Sequence, residues 1–172
     1  MGLAAELNYV HPRPNAPQRL VQAVASTRPG AWAFAHSLAP LDRVTTRVSR
    51  GRTSLPRLLA GLEVFVLTTT GRRSGRPRES HLIAVPVEDT VAILGTNFGQ
   101  PSTPAWVLNL EADPHATVTF RGVTRAVVAR PASAAEAAAV LARSGAVYGG
   151  YRKYERRITG RRLRVFVLEP AP

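Results

Sequence analysis

The sequence predicts an α+β fold that is mainly β, a small closed or partly open barrel flanked by helices. Six short runs of β-forming residues follow residue 63, and the connections between most of them are short enough for antiparallel pairing. One helical segment is inserted among the strands, and further helical periodicity lies at the N-terminal side and before the last strand. Antiparallel strands in this order favour a barrel-like sheet with helices outside it.

The segment before the strands shows helical periodicity. One short amphipathic stretch follows Pro17, and a second, residues 41–50, follows Pro40. The second carries aliphatic side chains on one helical face and arginines on the opposite face, namely Leu41, Val44 and Val48 against Arg43, Arg47 and Arg50. Such a helix could lie on an anionic membrane or pack its apolar face on the barrel, with its arginines in water. We expect an N-terminal helical extension over residues 1–54 and a barrel domain over residues 55–172.

The first three strands are predicted from β-forming runs between turn residues. Residues 64–70 join four apolar β-formers to three threonines, which predicts a buried strand. Gly71 and Gly75 bracket a turn, and residues 78–85 form the second strand before Pro86. A third strand follows over residues 90–96.

The remaining elements alternate between helix and strand. Thr103 followed by proline predicts a helix start, and this helix ends near residue 113. Residues 117–121 and 124–128 are expected to form a hairpin. A capping box at residues 133–136 opens an alanine-rich helix that ends near Gly145, and residues 163–168 supply the last strand.

Length and composition are those of a folded domain. A chain of 172 residues can bury roughly 70% of its unfolded surface. Its 45% apolar and 20% charged residues lie in the globular range, outside the disordered one. Residues 1–10 lack the features of a secretory leader, and no run reaches the ~18 apolar residues of a spanning helix. We expect a cytoplasmic protein, with peripheral contact to the inner face of the membrane if residues 41–50 bind lipid.

The formal net charge of +12 favours anionic partners. All but one of the 23 basic residues are arginine, the exception being Lys153. Nucleic acid, an anionic membrane and an acidic small molecule are all partners that a surface of this charge would attract. The chain has no cysteine, which excludes disulfides and thiolate chemistry, and its four histidines lack metal-ligand spacing. We therefore predict no metal site.

The highest density of positive charge lies in the predicted turn between the first two strands. Four arginines, Arg72, Arg73, Arg76 and Arg78, fall within seven residues. Their mutual repulsion is unfavourable without an anion, and guanidinium groups bind phosphate and carboxylate oxygens bidentately. The turn therefore predicts a phosphate or polycarboxylate cradle, with a solvated hairpin tip as the alternative.

Four segments together carry a family resemblance. They are LTTTGRRSG with PR over residues 67–78, GTNFG over 95–99, PAWVLNL with DP over 104–114, and VFVLEP over 165–170. In order and spacing they resemble the deazaflavin-dependent nitroreductase and quinone reductase family of actinobacteria, which uses coenzyme F420. The resemblance covers roughly residues 55–170 and implies a split β-barrel like that of FMN-binding proteins. It also implies transfer of hydride from F420H2 to a quinone, nitro compound or activated alkene.

The resemblance also implies two groups of coenzyme-binding residues. The first should hold the phosphodiester and polyglutamate tail, and comprises Arg72, Arg73, Ser74, Gly75, Arg76, Pro77 and Arg78. The second should line the deazaflavin ring, and comprises Thr96, Asn97, Phe98, Ala105 and Trp106. Taken alone, a tryptophan is more often a core residue than a cofactor wall.

Three tyrosines are the remaining site candidates. Tyr148, Tyr151 and Tyr154 recur at three-residue intervals, which on a helix places them on one face. By resemblance they cover the substrate side of the ring and orient the acceptor, and with Thr96 they are the predicted catalytic residues. An amphipathic packing stripe is the alternative. The chain departs from the family pattern at His81, where proline is usual, which leaves the acceptor undetermined.

Two other functions remain open at this point. A split barrel could bind FMN in place of the deazaflavin. A basic barrel could also bind nucleic acid, but the arginine cluster of residues 72–78 has no aromatic side chains interleaved with it for base stacking. We therefore predict a small-molecule electron acceptor as the partner, and no nucleic acid.

Overall fold

The computed structural model describes residues 2–10, 14–33 and 59–172. A single antiparallel sheet of seven strands dominates this part of the chain. The strands are β1 (Phe65–Thr70), β2 (Pro77–Leu82), β3 (Val85–Val87), β4 (Thr90–Leu94), β5 (His115–Phe120), β6 (Val123–Pro131) and β7 (Val165–Pro170). Their order across the sheet is β2-β1-β5-β6-β7-β4-β3.

The sheet curls into a half-barrel. Its two edge strands, β2 and β3, are separated in sequence only by Ile83 and Ala84, so the edges must come close together. This confirms the predicted barrel-like architecture, but the prediction of six strands was wrong. The predicted strand over residues 78–85 breaks because the Ile83 carbonyl accepts a hydrogen bond from Tyr151 and the Ala84 N–H donates one to Tyr9. Side chains thus satisfy the backbone groups that a continuous strand would pair.

Five α-helices have both ends within the described residues, and residues 28–33 and 59–60 are helical as well. The five are α1 (Leu3–Glu6), α2 (Ala16–Ala25), α3 (Ala105–Ala112), α4 (Ala134–Val147) and α5 (Gly150–Arg157). The capping box of Ser133 with Glu136 is confirmed at the start of α4. The predicted cap at Thr103 was wrong: Pro104 has an extended backbone, with ψ 142°, and is itself the N-cap of α3. Its carbonyl accepts from the Val107 N–H.

The N-terminal segment is part of the barrel core. Leu3, Leu7 and Tyr9 are buried in one cluster with Phe65 and Phe120. The Tyr9 hydroxyl donates to the Glu63 carbonyl at 2.7 Å, and the Tyr9 ring lies edge-on to Phe120 at 4.9 Å between centroids. A second apolar cluster lies on the opposite face of β4 and includes Val85 of β3. It also contains Tyr148, Tyr151 and Tyr154.

The basic amphipathic segment over residues 41–50 lies outside the described residues. Its contact with an anionic membrane therefore stays a prediction from the sequence. Within residues 2–10, 14–33 and 59–172, no helix is both long and apolar enough to cross a membrane.

Candidate functional site

A cavity of about 540 Å³ opens beside β2, the end of β4 and the start of α3. This volume lies within the range of small-molecule and cofactor pockets. All of the predicted ring-contacting and catalytic residues line it, namely Thr96, Asn97, Phe98, Ala105, Trp106, Tyr148, Tyr151 and Tyr154. The fold thus brings together three segments that are well separated in the sequence.

One wall of the cavity is the loop that follows β4. Three successive residues there have left-handed backbone angles: φ is 46° at Asn97, 55° at Phe98 and 77° at Gly99. Such angles are unfavourable for residues other than glycine and persist only where the surroundings impose them. The Asn97 amide donates to the carbonyl and the hydroxyl of Ser102, both at 3.0 Å. The loop is therefore held in one conformation at the cavity surface.

The three tyrosines cluster on one side of the cavity. The prediction that they share a helical face was wrong for Tyr148, which is the extended C-cap of α4, while Tyr151 and Tyr154 lie on α5. The chain turns at Gly149 and Gly150, and this turn still brings the three rings together. The centroid of Tyr148 lies 5.6 Å from that of Tyr151 and 5.8 Å from that of Tyr154.

All three tyrosine hydroxyls donate to acceptors within the protein. Tyr154 donates to the Ala25 carbonyl at 3.2 Å, so Tyr148 must be the donor in its 3.0 Å contact with the Tyr154 hydroxyl. Tyr151 donates to the Ile83 carbonyl at 2.7 Å. Burial raises the pKa of each of these hydroxyls above its ordinary value. The tyrosines are therefore weaker acids than free tyrosine, and their oxygen lone pairs are what they can offer a ligand.

We expect none of the tyrosines to ionise at about pH 10, where free tyrosine is half ionised. The chain contains four, and burial also raises the pKa of the fourth, Tyr9. A spectrophotometric titration should show no tyrosinate absorbance in the native protein at about pH 10, and ordinary ionisation in urea-unfolded protein. Because the unfolded chain loses these protons first, the free energy of unfolding should fall as pH rises above about 10. Tyrosinate formation in still-folded protein at that pH would contradict the assigned burial.

The arginine turn, residues 71–78, consists of the tight loop that closes the β1–β2 hairpin, residues 71–76, and the first two residues of β2. The Gly71 N–H donates to the Arg76 carbonyl at 2.9 Å, and Gly75 adopts a left-handed φ of 63°. Among the described residues, none of the guanidinium groups of Arg72, Arg73, Arg76 and Arg78 has an ion-pair or hydrogen-bond partner. Four exposed guanidinium groups without an ion-pair partner in this part of the structure favour a polyanionic ligand.

Asn109 holds the base of this turn, a role that sequence analysis did not assign. It is 5% exposed, its side-chain oxygen accepts from the Arg72 N–H at 3.1 Å, and its amide donates to the Thr69 hydroxyl at 3.0 Å. Helix α3 thus supports both the cavity wall, through Trp106, and the turn. The feature of the sequence that could have indicated this role is a polar residue on the otherwise apolar, buried side of a short helix.

The turn lies beside the cavity and does not line it. The cavity wall includes Glu79, Ser80 and His81 of β2, which follow Arg78 directly along the strand. A strand rises about 3.3 Å per residue, so Arg78 lies roughly 10–15 Å from Leu82, the last residue of β2 in the cavity wall. A ligand with a ring in the cavity and an anionic tail along β2 would reach the arginines. Of these three residues, His81 is the position at which the sequence departs from the family pattern.

Comparison with known proteins places the chain in a family. The family model of F420H2-dependent quinone reductases matches residues 41–170. A solved F420-H2-dependent reductase is 27% identical, with a TM-score of 0.56 over 62% of this chain and 94% of its own. A solved domain-swapped dimer is 23% identical, with a TM-score of 0.59 over 82% and 99%, and shows likeness of fold alone. The predicted family, split-barrel fold and coenzyme are confirmed. The chain belongs to the F420H2-dependent quinone reductase family and is an F420-dependent reductase.

Proposed function

We propose that the protein reduces a quinone with F420H2, the ring being held in the cavity and the anionic tail on the arginine turn. Nitro compounds and activated alkenes are further acceptors of the same electron-poor class. The observation that carries this proposal is the continuity, along strand β2, of an aromatic-lined cavity with four arginines that form no ion pair among the described residues. When bound, the coenzyme supplies the hydride, and the protein supplies orientation and electrostatics.

The residues proposed for the tail are those of residues 72–78. Arg72, Arg73, Arg76 and Arg78 can donate to phosphate and carboxylate oxygens. The N–H groups of Ser74 and Gly75 already donate to the Gly71 carbonyl, so these two residues shape the turn and leave the guanidinium groups as its donors. Asn109 preorganises this backbone, which lowers the entropy cost of binding. The turn therefore gives a physical reason for preferring a long polyanionic tail to the single phosphate of FMN.

The residues proposed for the ring and the acceptor are those of the cavity wall. Phe98 and Trp106 supply apolar surface, and Thr96, 7% exposed, adds a hydroxyl group beside them. The tyrosine cluster excludes water from the reacting side and orients the acceptor through its hydroxyl oxygens. Because its protons are already donated to protein acceptors, we assign the proton that accompanies hydride transfer to solvent at the cavity mouth.

A fluorescence titration with oxidised F420, run beside one with FMN, tests the proposal. We expect F420 to bind at least about tenfold more tightly, since the additional charges of its tail meet the arginine turn. Oxidation of F420H2 should then require an added acceptor and proceed with a soluble naphthoquinone. Equal or tighter binding of FMN would contradict the tail assignment, and absence of quinone-dependent oxidation would contradict the acceptor.

A further inference from the structure

Arg161 binds the back of the cavity-wall loop. It lies between α5 and β7, half-buried, and its guanidinium donates to three carbonyls of one short segment. Nη1 donates to Gly95 at 2.9 Å, and Nη2 donates to Thr96 at 3.0 Å and to Gln100 at 3.1 Å. Nε also donates to Gln100, at 3.3 Å. One side chain thereby joins the two ends of the segment that contains the left-handed residues.

A guanidinium group suits this set of carbonyls. Their oxygens converge because the backbone between them turns through the left-handed residues 97–99, and converging carbonyl dipoles repel one another. A planar guanidinium has enough donors, in a rigid fork, to satisfy several oxygens at once. Burial lowers the pKa of Arg161, yet an arginine remains charged at physiological pH. Lysine, with a compact ammonium group, cannot reach all three carbonyls in the same geometry.

We propose that Arg161 is a positioning residue for the ring-binding wall. It holds Thr96, Asn97 and Phe98 in the conformation that faces the ligand, without itself lining the cavity. The inference rests on the proposed function, since it concerns the wall assigned to the deazaflavin ring. Arg161 approaches this wall through the segment before β7, and its hydrogen bonds go to residues 95–100 and not to the arginine turn. It therefore acts on binding of the ring and leaves binding of the tail unaffected.

The test compares Arg161→Gln and Arg161→Lys with the control Arg162→Gln. Arg162 is the exposed neighbour, so the control removes the same charge without affecting the loop. Two probes are titrated by fluorescence: oxidised F420, and the deazaflavin riboside that lacks the phosphodiester and the glutamate tail. We expect Arg161→Gln to weaken binding of both probes by the same factor, about tenfold or more, as for removal of charge-assisted hydrogen bonds. Arg161→Lys should fall between Arg161→Gln and wild type, and Arg162→Gln should match wild type.

Hydrogen exchange of the coenzyme-free protein gives an independent readout. Amides of residues 95–102 should exchange faster in Arg161→Gln, while those of β1 keep their wild-type rates. The inference is overturned if Arg161→Lys binds the riboside with wild-type affinity, or if the amides of residues 95–102 exchange at wild-type rates in either Arg161 variant. If Arg161→Gln does not fold, Arg161→Lys decides the question. If wild-type protein binds neither probe, the proposed function fails as well. If wild type binds both probes and the Arg161 variants bind them with wild-type affinity, only the inference about Arg161 fails.

Discussion

Replacing Arg73 and Arg78 together by alanine is expected to weaken F420 binding by about 100-fold, or about tenfold for each arginine that no longer donates to the tail. Both side chains are exposed, and neither has a partner among the described residues, so the variant should keep the wild-type free energy of unfolding. Fluorescence titration measures the affinity, and urea unfolding checks the fold. Wild-type binding should also weaken as salt rises, because salt screens exposed charges.

The matched control for this variant is Arg143→Ala with Arg162→Ala, which removes two exposed arginines elsewhere. An equal decrease in affinity in the two double variants would show that general charge, and not the turn, binds the coenzyme. The tail-free riboside adds a second comparison. Its affinity should be the same in wild type and in the Arg73, Arg78 variant, and a parallel decrease would contradict the separate assignment of ring and tail.

Leu3→Ala is expected to lower the free energy of unfolding by about 2–5 kcal/mol, the usual range for a fully buried leucine. Leu3 is 0% exposed and packs in the same cluster as Phe65 and Leu168, so its removal leaves a cavity inside the half-barrel. Urea unfolding followed by far-UV circular dichroism measures this change. The effect should be large although Leu3 lies at the very beginning of the sequence.

Leu20→Ala is the control for the same chemical change at the surface. Leu20 is 68% exposed on α2, where a substitution should change the free energy of unfolding by no more than about 0.5 kcal/mol. If Leu3→Ala and Leu20→Ala lower the free energy of unfolding by the same amount, residues 2–10 are not part of the core. If Leu20→Ala alone is strongly destabilising, the exposed face of α2 is covered by another part of the protein.

Local sequence patterns were sufficient for the elements whose geometry depends on a few neighbouring residues. The β1–β2 hairpin follows from its glycines, the start of α4 from its capping box, and the β5–β6 hairpin from Gly122, which has φ 83°. The family resemblance added which distant segments share a site, which no local pattern could supply. Together they determined the fold class, the coenzyme and eight of the residues that line the cavity.

Contacts between residues far apart in sequence were decided only by the tertiary structure. Tyr151 and Tyr9 end β2 at Ile83 and Ala84 through hydrogen bonds that span 68 and 75 residues. Arg161 reaches Gly95 across 66 residues. Hydrophobic periodicity and turn propensity describe an element's own backbone and carry no information about which remote side chain will satisfy its polar groups. The sequence by itself therefore determined the fold class, the family and its coenzyme, whereas tertiary packing decided where one strand breaks and which arginine supports the cavity wall.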